Sequence, residues 1–452
     1  MNARRITHAA TICTATLAAV FVLGPLTSTA QAASAERHGH GHRPVYDCPP
    51  RARAVGYSDA LDKLNTLGAE VGGLSALTYD ARRHAYAAIE DHSGDQASRM
   101  WFFRDAAHPQ VTGTLTLTQA DGTPYTGADF DAEGLTVLPS GDYLVSSEVE
   151  PSIRVFDRSG REVAQLPVPT RLHVPPIGEA TPNATLEGLS ISPDGATIYA
   201  AMEGTLSGDV SSTGEAGYRR ILVYTKGRHG YALTRQLGYH VDPGMRISEV
   251  AAYGRDGLLV MEAAYEPATG NAIELYAVHT RHARDVSAIG DLGNSPHAVL
   301  PKTLVSNVTA CPSLGATAKE PQTNPLMDNY EGMTIETRHG RDAQVLLVSD
   351  DNFSATQTTR LLRLQAPFPD TDAVQRLRRA APSRYRSPAS RTYPTSLRSV
   401  GQLHLGIALR RAEPARPRFA QSGSSISRAG SSSTFTSLKV ITRTCFTNRA
   451  GR

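Results

Sequence analysis

The sequence predicts an all-β fold: a β-propeller of five readable blades, with six possible, each blade a four-stranded antiparallel sheet. Three observations carry this. An acidic phrase recurs as Glu133-Gly134-Leu135-Thr136, Glu187-Gly188-Leu189-Ser190 and Glu331-Gly332-Met333-Thr334. Each copy leads through a glycine-bearing turn to an apolar run that ends in an acid: Glu148, Glu203 and Asp350. Two weaker copies share the template, Ile247-Ser248-Glu249-Val250 leading to Glu262, and Gly72-Gly73-Leu74-Ser75 leading to Glu90-Asp91, with Gly72 standing where the first acid would be. The copies start at 72, 133, 187, 249 and 331, so they lie 61, 54, 62 and 82 residues apart. Four strands and generous loops need such periods, whereas short helical repeats need only about 33–47 residues. The last gap leaves room for an insertion or a further blade.

Within a copy the elements follow in order. Leu135 to Leu138 alternates as a strand, Pro139-Ser140-Gly141-Asp142 is a tight turn, and Tyr143 to Ser146 is the second strand; Leu189 to Ser192, Pro193-Asp194-Gly195 and Thr197 to Tyr199 repeat this hairpin. A third strand carries an aliphatic-x-x-aromatic pattern at Met100–Phe103, Ile153–Phe156, Ile221–Tyr224 and Ile273–Tyr276, with Leu361–Leu364 as its last copy. A fourth follows at 114–117, 162–166 and 231–233, but the last copy lacks one, and Val55 to Ala60 is the candidate strand that closes the ring. A pair of β-sandwich domains is the alternative for short even strands. The regularity of the repeat favours the propeller.

The ends are unlike this body. Arg4 and Arg5, an apolar stretch from Ala9 to Leu23 and Ala30-Gln31-Ala32 read as an export signal over 1–32, followed by a flexible segment over 33–54. The apolar stretch is shorter than the ~20 residues that span a bilayer, and no later stretch is apolar enough, so a soluble, secreted or extracytoplasmic monomer is expected. Outside the cytoplasm, Cys48 and Cys311 are the expected disulfide, with Cys445 left over. The propeller is placed at 55–366. An Arg-, Ser- and Pro-rich tail over 367–452 reads as a disordered solvated extension or the product of a shifted reading frame, in preference to a polyanion-binding arm. Overall net charge is +3, but without the tail the body is acidic, which suits cation binding and argues against a nucleic-acid partner. His38, His40 and His42 read as a flexible polar stretch rather than a metal site.

Propeller geometry gives the acids a chemistry. First strands line the central channel, so Glu133, Glu187, Glu249 and Glu331 are expected to converge, and the glycine that follows three of them lets backbones crowd there. Like charges so gathered repel one another unless compensated. A hard cation such as Ca²⁺, which takes six to eight oxygen ligands, would compensate them. Asp91, Glu148, Glu203, Glu262, Asp350 and Asp351 at the ends of the second strands would enlarge the site. The other role open to each glutamate is to accept backbone N–H groups of the adjacent blade and lock the ring. Arg99, Arg220 and Arg360 share one place before the third strand. They would either bind a substrate anion at the same mouth or pair with a second-strand acid. There is no G-x-S-x-G elbow, H-E-x-x-H helix or zinc array. His108, His173, His297 and His339 are loop residues without a recognisable partner.

At these residues the chain resembles the phytase-like propellers known for an "esterase-like activity of phytase". The resemblance runs from about Cys48 to Leu364 and rests on Tyr57-Ser58-Asp59-Ala60-Leu61-Asp62-Lys63, Val71 to Leu77, Glu133-Gly134-Leu135, Asn329-Tyr330-Glu331-Gly332-Met333 and Val348-Ser349-Asp350-Asp351-Asn352-Phe353. It implies a secreted propeller that hydrolyses phosphate or carboxylate esters of small molecules, and it supplies no catalytic residue. The tail after Leu364 departs from it. Two functions follow: a Ca²⁺-dependent hydrolase, or a non-catalytic extracellular binding propeller with a structural acidic ring.

Overall fold

The computed structural model describes residues 47–91 and 94–369. These form a five-bladed propeller. Blade 1 consists of Leu74–Asp80, Ala85–Glu90, Arg99–Arg104 and Gln110–Thr116; blade 2 of Ala132–Val137, Tyr143–Ser147, Ser152–Phe156 and Glu162–Leu166. Blade 3 follows with Leu186–Ile191, Thr197–Met202, Tyr218–Gly227 and Gly230–His240, and blade 4 with Arg246–Tyr253, Gly257–Glu266, Gly270–His279 and Lys302–Asn307. Blade 5 takes Tyr330–His339, Asp342–Ser349 and Leu361–Pro367 from the end of the domain.

Blade 5 is completed by the start of the chain. Ala52–Ser58 pairs antiparallel with Leu361–Pro367, with Ala54 opposite Leu364, and Asp47–Cys48 adds an outer fifth strand. The closing strand thus begins three residues before Val55, and residues 47–54 are strand and turn rather than a flexible lead-in, with Ala52 and Ala54 fully buried. At the other end, strand pairing reaches Pro367 and Phe368 is buried against Tyr253, so the blade passes the expected boundary at 366. Cys48 and Cys311 form a disulfide that ties this closure to the segment after blade 4. The long interval before the last copy holds loops at 280–301 and 308–329, not a sixth blade. The export signal, the histidine-rich stretch, Cys445 and the tail beyond 369 lie outside the described residues.

Each interface between neighbouring blades has its own apolar core. Leu74, Leu77, Trp101 and Phe103 of blade 1, for example, pack on Leu346, Val348 and Leu361 of blade 5. Third strands supply much of this, which explains their aliphatic-x-x-aromatic pattern. Innermost strands touch one another around the axis. The glycine of the repeated phrase is what permits this approach: a Cβ on Gly134 would lie 2.5 Å from the Glu187 carbonyl oxygen, and one on Gly332 would lie 2.9 Å from the Ala76 carbonyl carbon.

Candidate metal centre

Strand register decides which side chains reach the channel. In blade 5, Tyr330 stands opposite Ser349 and Gly332 opposite Val348, so Glu331 is an extra residue in a bulge. In blades 2 and 3 the pairs Ala132–Ser147 and Leu135–Val145, then Leu186–Met202 and Leu189–Ala200, put Glu133-Gly134 and Glu187-Gly188 in the same place. Blade 4 pairs Ile247 with Glu262 and Glu249 with Met261; blade 1 pairs Leu74 with Glu90 and Ala76 with Ile89. Ser248 and Ser75 therefore occupy the glutamate position. Glu249 occupies the glycine position, one residue out of register, and a one-residue slip sends a side chain to the opposite face. Glu249 and Gly72 therefore do not stand at the position of the acid, contrary to the sequence pattern.

The remaining acids come together. Asp91, Glu133, Glu148, Glu187, Glu203, Glu331 and Asp350 line one cavity of ≈ 280 Å³ with Asn183, Asn352 and Arg246. Three are the bulged glutamates. The other four directly follow the second-strand residues Glu90, Ser147, Met202 and Ser349. Blade 4 supplies neither kind of acid, having Ser248 and Ala263 at the two positions. Opposite Ala263 it carries Arg246, whose place in blade 2 is taken by Asp131 and in blade 5 by Asn329.

Among the described residues, Arg246 is the only cation lining the cavity. Its Nη1 donates to Glu187 Oε1 and Glu203 Oε1, both at 3.0 Å, and its Nη2 to Glu331 Oε1 at 2.9 Å and Asn329 Oδ1 at 3.1 Å. Around it, burial pushes the Glu133 carboxyl well above its ordinary range, and Glu187, Asp91, Glu148 and Glu331 push it further. Glu187 and Asp350 are raised in the same way, by burial first and by neighbouring carboxylates second. Glu203 is raised by burial, with Arg246 opposing. Glu148 is pushed up to about 7 by burial and by Glu203, although the Thr185 N–H holds it down in part. One guanidinium does not balance seven carboxylates, so ionised acids here need further positive charge.

Oxygen atoms are placed to receive it. Glu133, Glu187 and Glu331 bring carboxylate oxygens within 4.8 Å of one another, as do Asp91, Asp131 and Glu133, and Glu148, Glu187 and Glu203. An all-oxygen, acid-rich set of this kind suits a hard divalent cation rather than a thiophilic metal.

A family model described as phytase-like, "esterase-like activity of phytase", matches residues 69–353, which contain every member of this acidic cavity. The chain belongs to the phytase-like family. No curated protein matches it. Among solved structures, the phytase-like chain is similar to an aldose sugar dehydrogenase from Streptomyces coelicolor, at 10% identity over 65% of this chain and 80% of that one, with a TM-score of 0.33. It is also similar to a gluconolactonase from Xanthomonas campestris, at 11% identity over 71% and 91% of the two chains and a TM-score of 0.32. A β-1,3-galactosidase shares 9% identity over 70% of this chain and 60% of its own, with a TM-score of 0.42.

Other expected site residues of this phytase-like propeller sit elsewhere. Glu249 Oε1 accepts the Leu189 N–H of blade 3 at 2.9 Å and the Val250 N–H at 2.8 Å, so it locks the ring instead of facing the acids. Glu262 accepts from Lys302 Nζ at 2.6 Å and from the Asp242 N–H at 2.8 Å, in a polar network between blades 3 and 4. Asp351 binds Lys63 and accepts the Gly73 N–H, which joins the segment before blade 1 to blade 5. Arg220 pairs with Asp209 at 2.6 Å and donates to Gln236 Oε1 at 3.0 Å, and Arg360 pairs with Asp59 at 2.7 and 2.9 Å; both are fully buried and also donate to loop carbonyls. They brace loops and do not form an anion site. Arg99 lies 3.1 Å from Glu90 and borders a separate cavity that shares Asp91 and Asn352 with the acidic one. None of the four histidines considered above lines the acidic cavity, and His339 ends the first strand of blade 5 rather than lying in a loop.

Proposed function

We propose that the acidic cavity is the catalytic centre of a secreted, cation-assisted hydrolase that cleaves phosphate or carboxylate esters of small molecules, working as a monomer. The observation that carries this is the union of seven carboxylates around one arginine at the propeller axis. Glu133, Glu187 and Glu331, extended by Asp91 and Asp131, would hold a divalent cation, with Ca²⁺ the best fit to their hard oxygens. When bound, such a cation supplies positive charge to an ester oxygen and to an attacking water.

The chain's own groups divide the remaining work. Arg246, fixed by four hydrogen bonds, holds Glu187, Glu203 and Glu331 in one orientation and keeps positive charge at the cavity wall. Glu148, whose pKa burial and neighbouring carboxylates push up to about 7 in the cation-free cavity, is the acid suited to general base and then general acid work, because proton transfer is most effective when the pKa lies near the working pH. It takes one proton from water as the water oxygen bonds to the carbonyl carbon or phosphorus. That proton then passes to the departing alkoxide oxygen as the ester bond breaks, leaving an acid and an alcohol.

Export is supported by the signal-like first 32 residues and by the Cys48–Cys311 disulfide. No helix among the described residues is long and apolar enough to cross a membrane. Turnover of p-nitrophenyl carboxylate and phosphate esters and of phytate by the purified protein, with and without chelator, tests the proposal. Chelator-sensitive turnover is expected. No turnover on any of these, with melting unchanged by EDTA, would overturn it and leave a non-catalytic binding propeller.

A further inference from the structure

A second cavity shares Arg246 with the acidic one and has a different character. It measures ≈ 670 Å³ and is walled by Val241, Pro243, Met245, Ala263, Ala264 and Tyr265, with Arg219 at its edge. It exists because blade 4 departs from the repeat. The position that carries Asp91, Glu148, Glu203 or Asp350 in the other blades carries Ala263 here, and its cross-strand partner is Arg246. An apolar space thus opens directly beside the acids.

Arg219 is unusual within it. The side chain is buried, and all of its hydrogen bonds go to neutral oxygens: Thr205 Oγ1 and the carbonyls of Ala216, Tyr218 and Met245, the last being the residue before Arg246. Its Nε has no hydrogen-bond partner. Burial lowers its pKa to about 10, which still leaves it protonated at neutral pH. The two carboxylates in the cavity wall are engaged elsewhere, Glu215 with His240 at 2.7 Å and Asp242 with Lys302 at 2.7 Å. Glu203 and Glu262 act on it only through space, partly offsetting its burial, and neither hydrogen-bonds the guanidinium. A buried guanidinium with no carboxylate in direct contact favours an incoming anion.

We propose that this cavity is an acyl pocket, which takes the apolar alkyl or aryl body of a carboxylic ester and retains the carboxylate released from it beside Arg219. The inference rests on the hydrolase reading and narrows it from esters in general to apolar carboxylic esters. A polyphosphorylated substrate would instead carry many like charges toward an acid-lined cavity and find apolar walls next to it.

Isothermal titration of benzoate into the full chain, beside benzamide and inorganic phosphate, tests the pocket without requiring turnover. Benzoate is expected to bind, and benzamide and phosphate about tenfold or more weakly. Ala264→Trp, which fills the space from a partly exposed position, and Arg219→Gln are each expected to weaken benzoate by about tenfold or more. Absence of benzoate binding, equal binding of benzamide, or unchanged affinity in Ala264→Trp would overturn the assignment; the tryptophan variant decides the matter if Arg219→Gln does not fold. Benzoate binding in a protein that turns over no ester would sink the hydrolase reading and leave the pocket. Ester turnover indifferent to benzoate and to Ala264→Trp would sink the pocket alone.

Discussion

Replacing Arg246 by Met removes the one positive charge that the described residues bring to the acidic cavity, while keeping much of its volume. Three carboxylates, Glu187, Glu203 and Glu331, lose partners at 2.9–3.0 Å and are left facing one another. Breaking a buried pair costs roughly 3–5 kcal/mol, because the remaining charge is neither solvated nor matched. In a domain of this size each kcal/mol moves Tm by about 1.5 °C, so metal-free Arg246→Met should melt roughly 5–7 °C below the parent at pH 8. The pH dependence follows from the direction of the shifts. Glu133, Glu148, Glu187 and Asp350 have folded pKa values raised above their unfolded ones, so the folded state holds more protons, and stability falls as pH rises from the ordinary carboxylate range through the folded values, about 7 for Glu148. At pH 5 protonation relieves much of the repulsion, and the penalty for losing Arg246 should shrink. Scanning calorimetry in EDTA at both pH values reads this out. A Tm for Arg246→Met equal to the parent's at pH 8, or a penalty no larger at pH 8 than at pH 5, would refute the electrostatic reasoning.

Four more outcomes are expected. Stabilisation by Ca²⁺, taken as Tm with Ca²⁺ minus Tm in EDTA, should grow from pH 5 to pH 8, since cation binding requires the acids to lose their protons. Glu133→Gln should raise the melting temperature of the metal-free protein at pH 8 by removing repulsion, yet weaken Ca²⁺ binding in a titration. Glu249→Ala, by contrast, should cost about 2–4 kcal/mol in denaturant unfolding, with or without Ca²⁺, because two buried backbone N–H groups lose their acceptor. Replacing Cys48 and Cys311 together should lower stability by up to about 5 kcal/mol, given the 263-residue separation of the bridge, while leaving Ca²⁺ affinity unchanged.

The blades were legible because their signals are local. The Pro139 to Asp142 turn, the aliphatic-aromatic third strands and the glycine beside the axis each follow from contacts a few residues long or repeated in every copy. Register was not. Glu249 matches the acidic phrase by letter but sits where Gly134 and Gly332 sit by pairing, and only the partner strand reveals the bulge that sets the difference. The arginine pattern was real, but its partners came from distant loops: Asp59 reaches Arg360 across 301 residues of sequence. Arg246 is hidden in the sequence for a related reason. Aligned on Ser248 rather than Glu249, it falls at the place of Asp131 and Asn329, and a reversed charge at an otherwise acidic or neutral position is the signal that would have found it.

In the proposed function, hydrolysis depends on a cation held by the acids at the axis. The most direct test of this dependence is to titrate Ca²⁺ into chelator-stripped protein while measuring both occupancy by calorimetry and turnover of p-nitrophenyl butyrate. The two curves are predicted to share a midpoint, and both to be lost in Glu133→Gln/Glu187→Gln. Full turnover in the stripped protein, or Ca²⁺ binding that survives the double substitution, would contradict it.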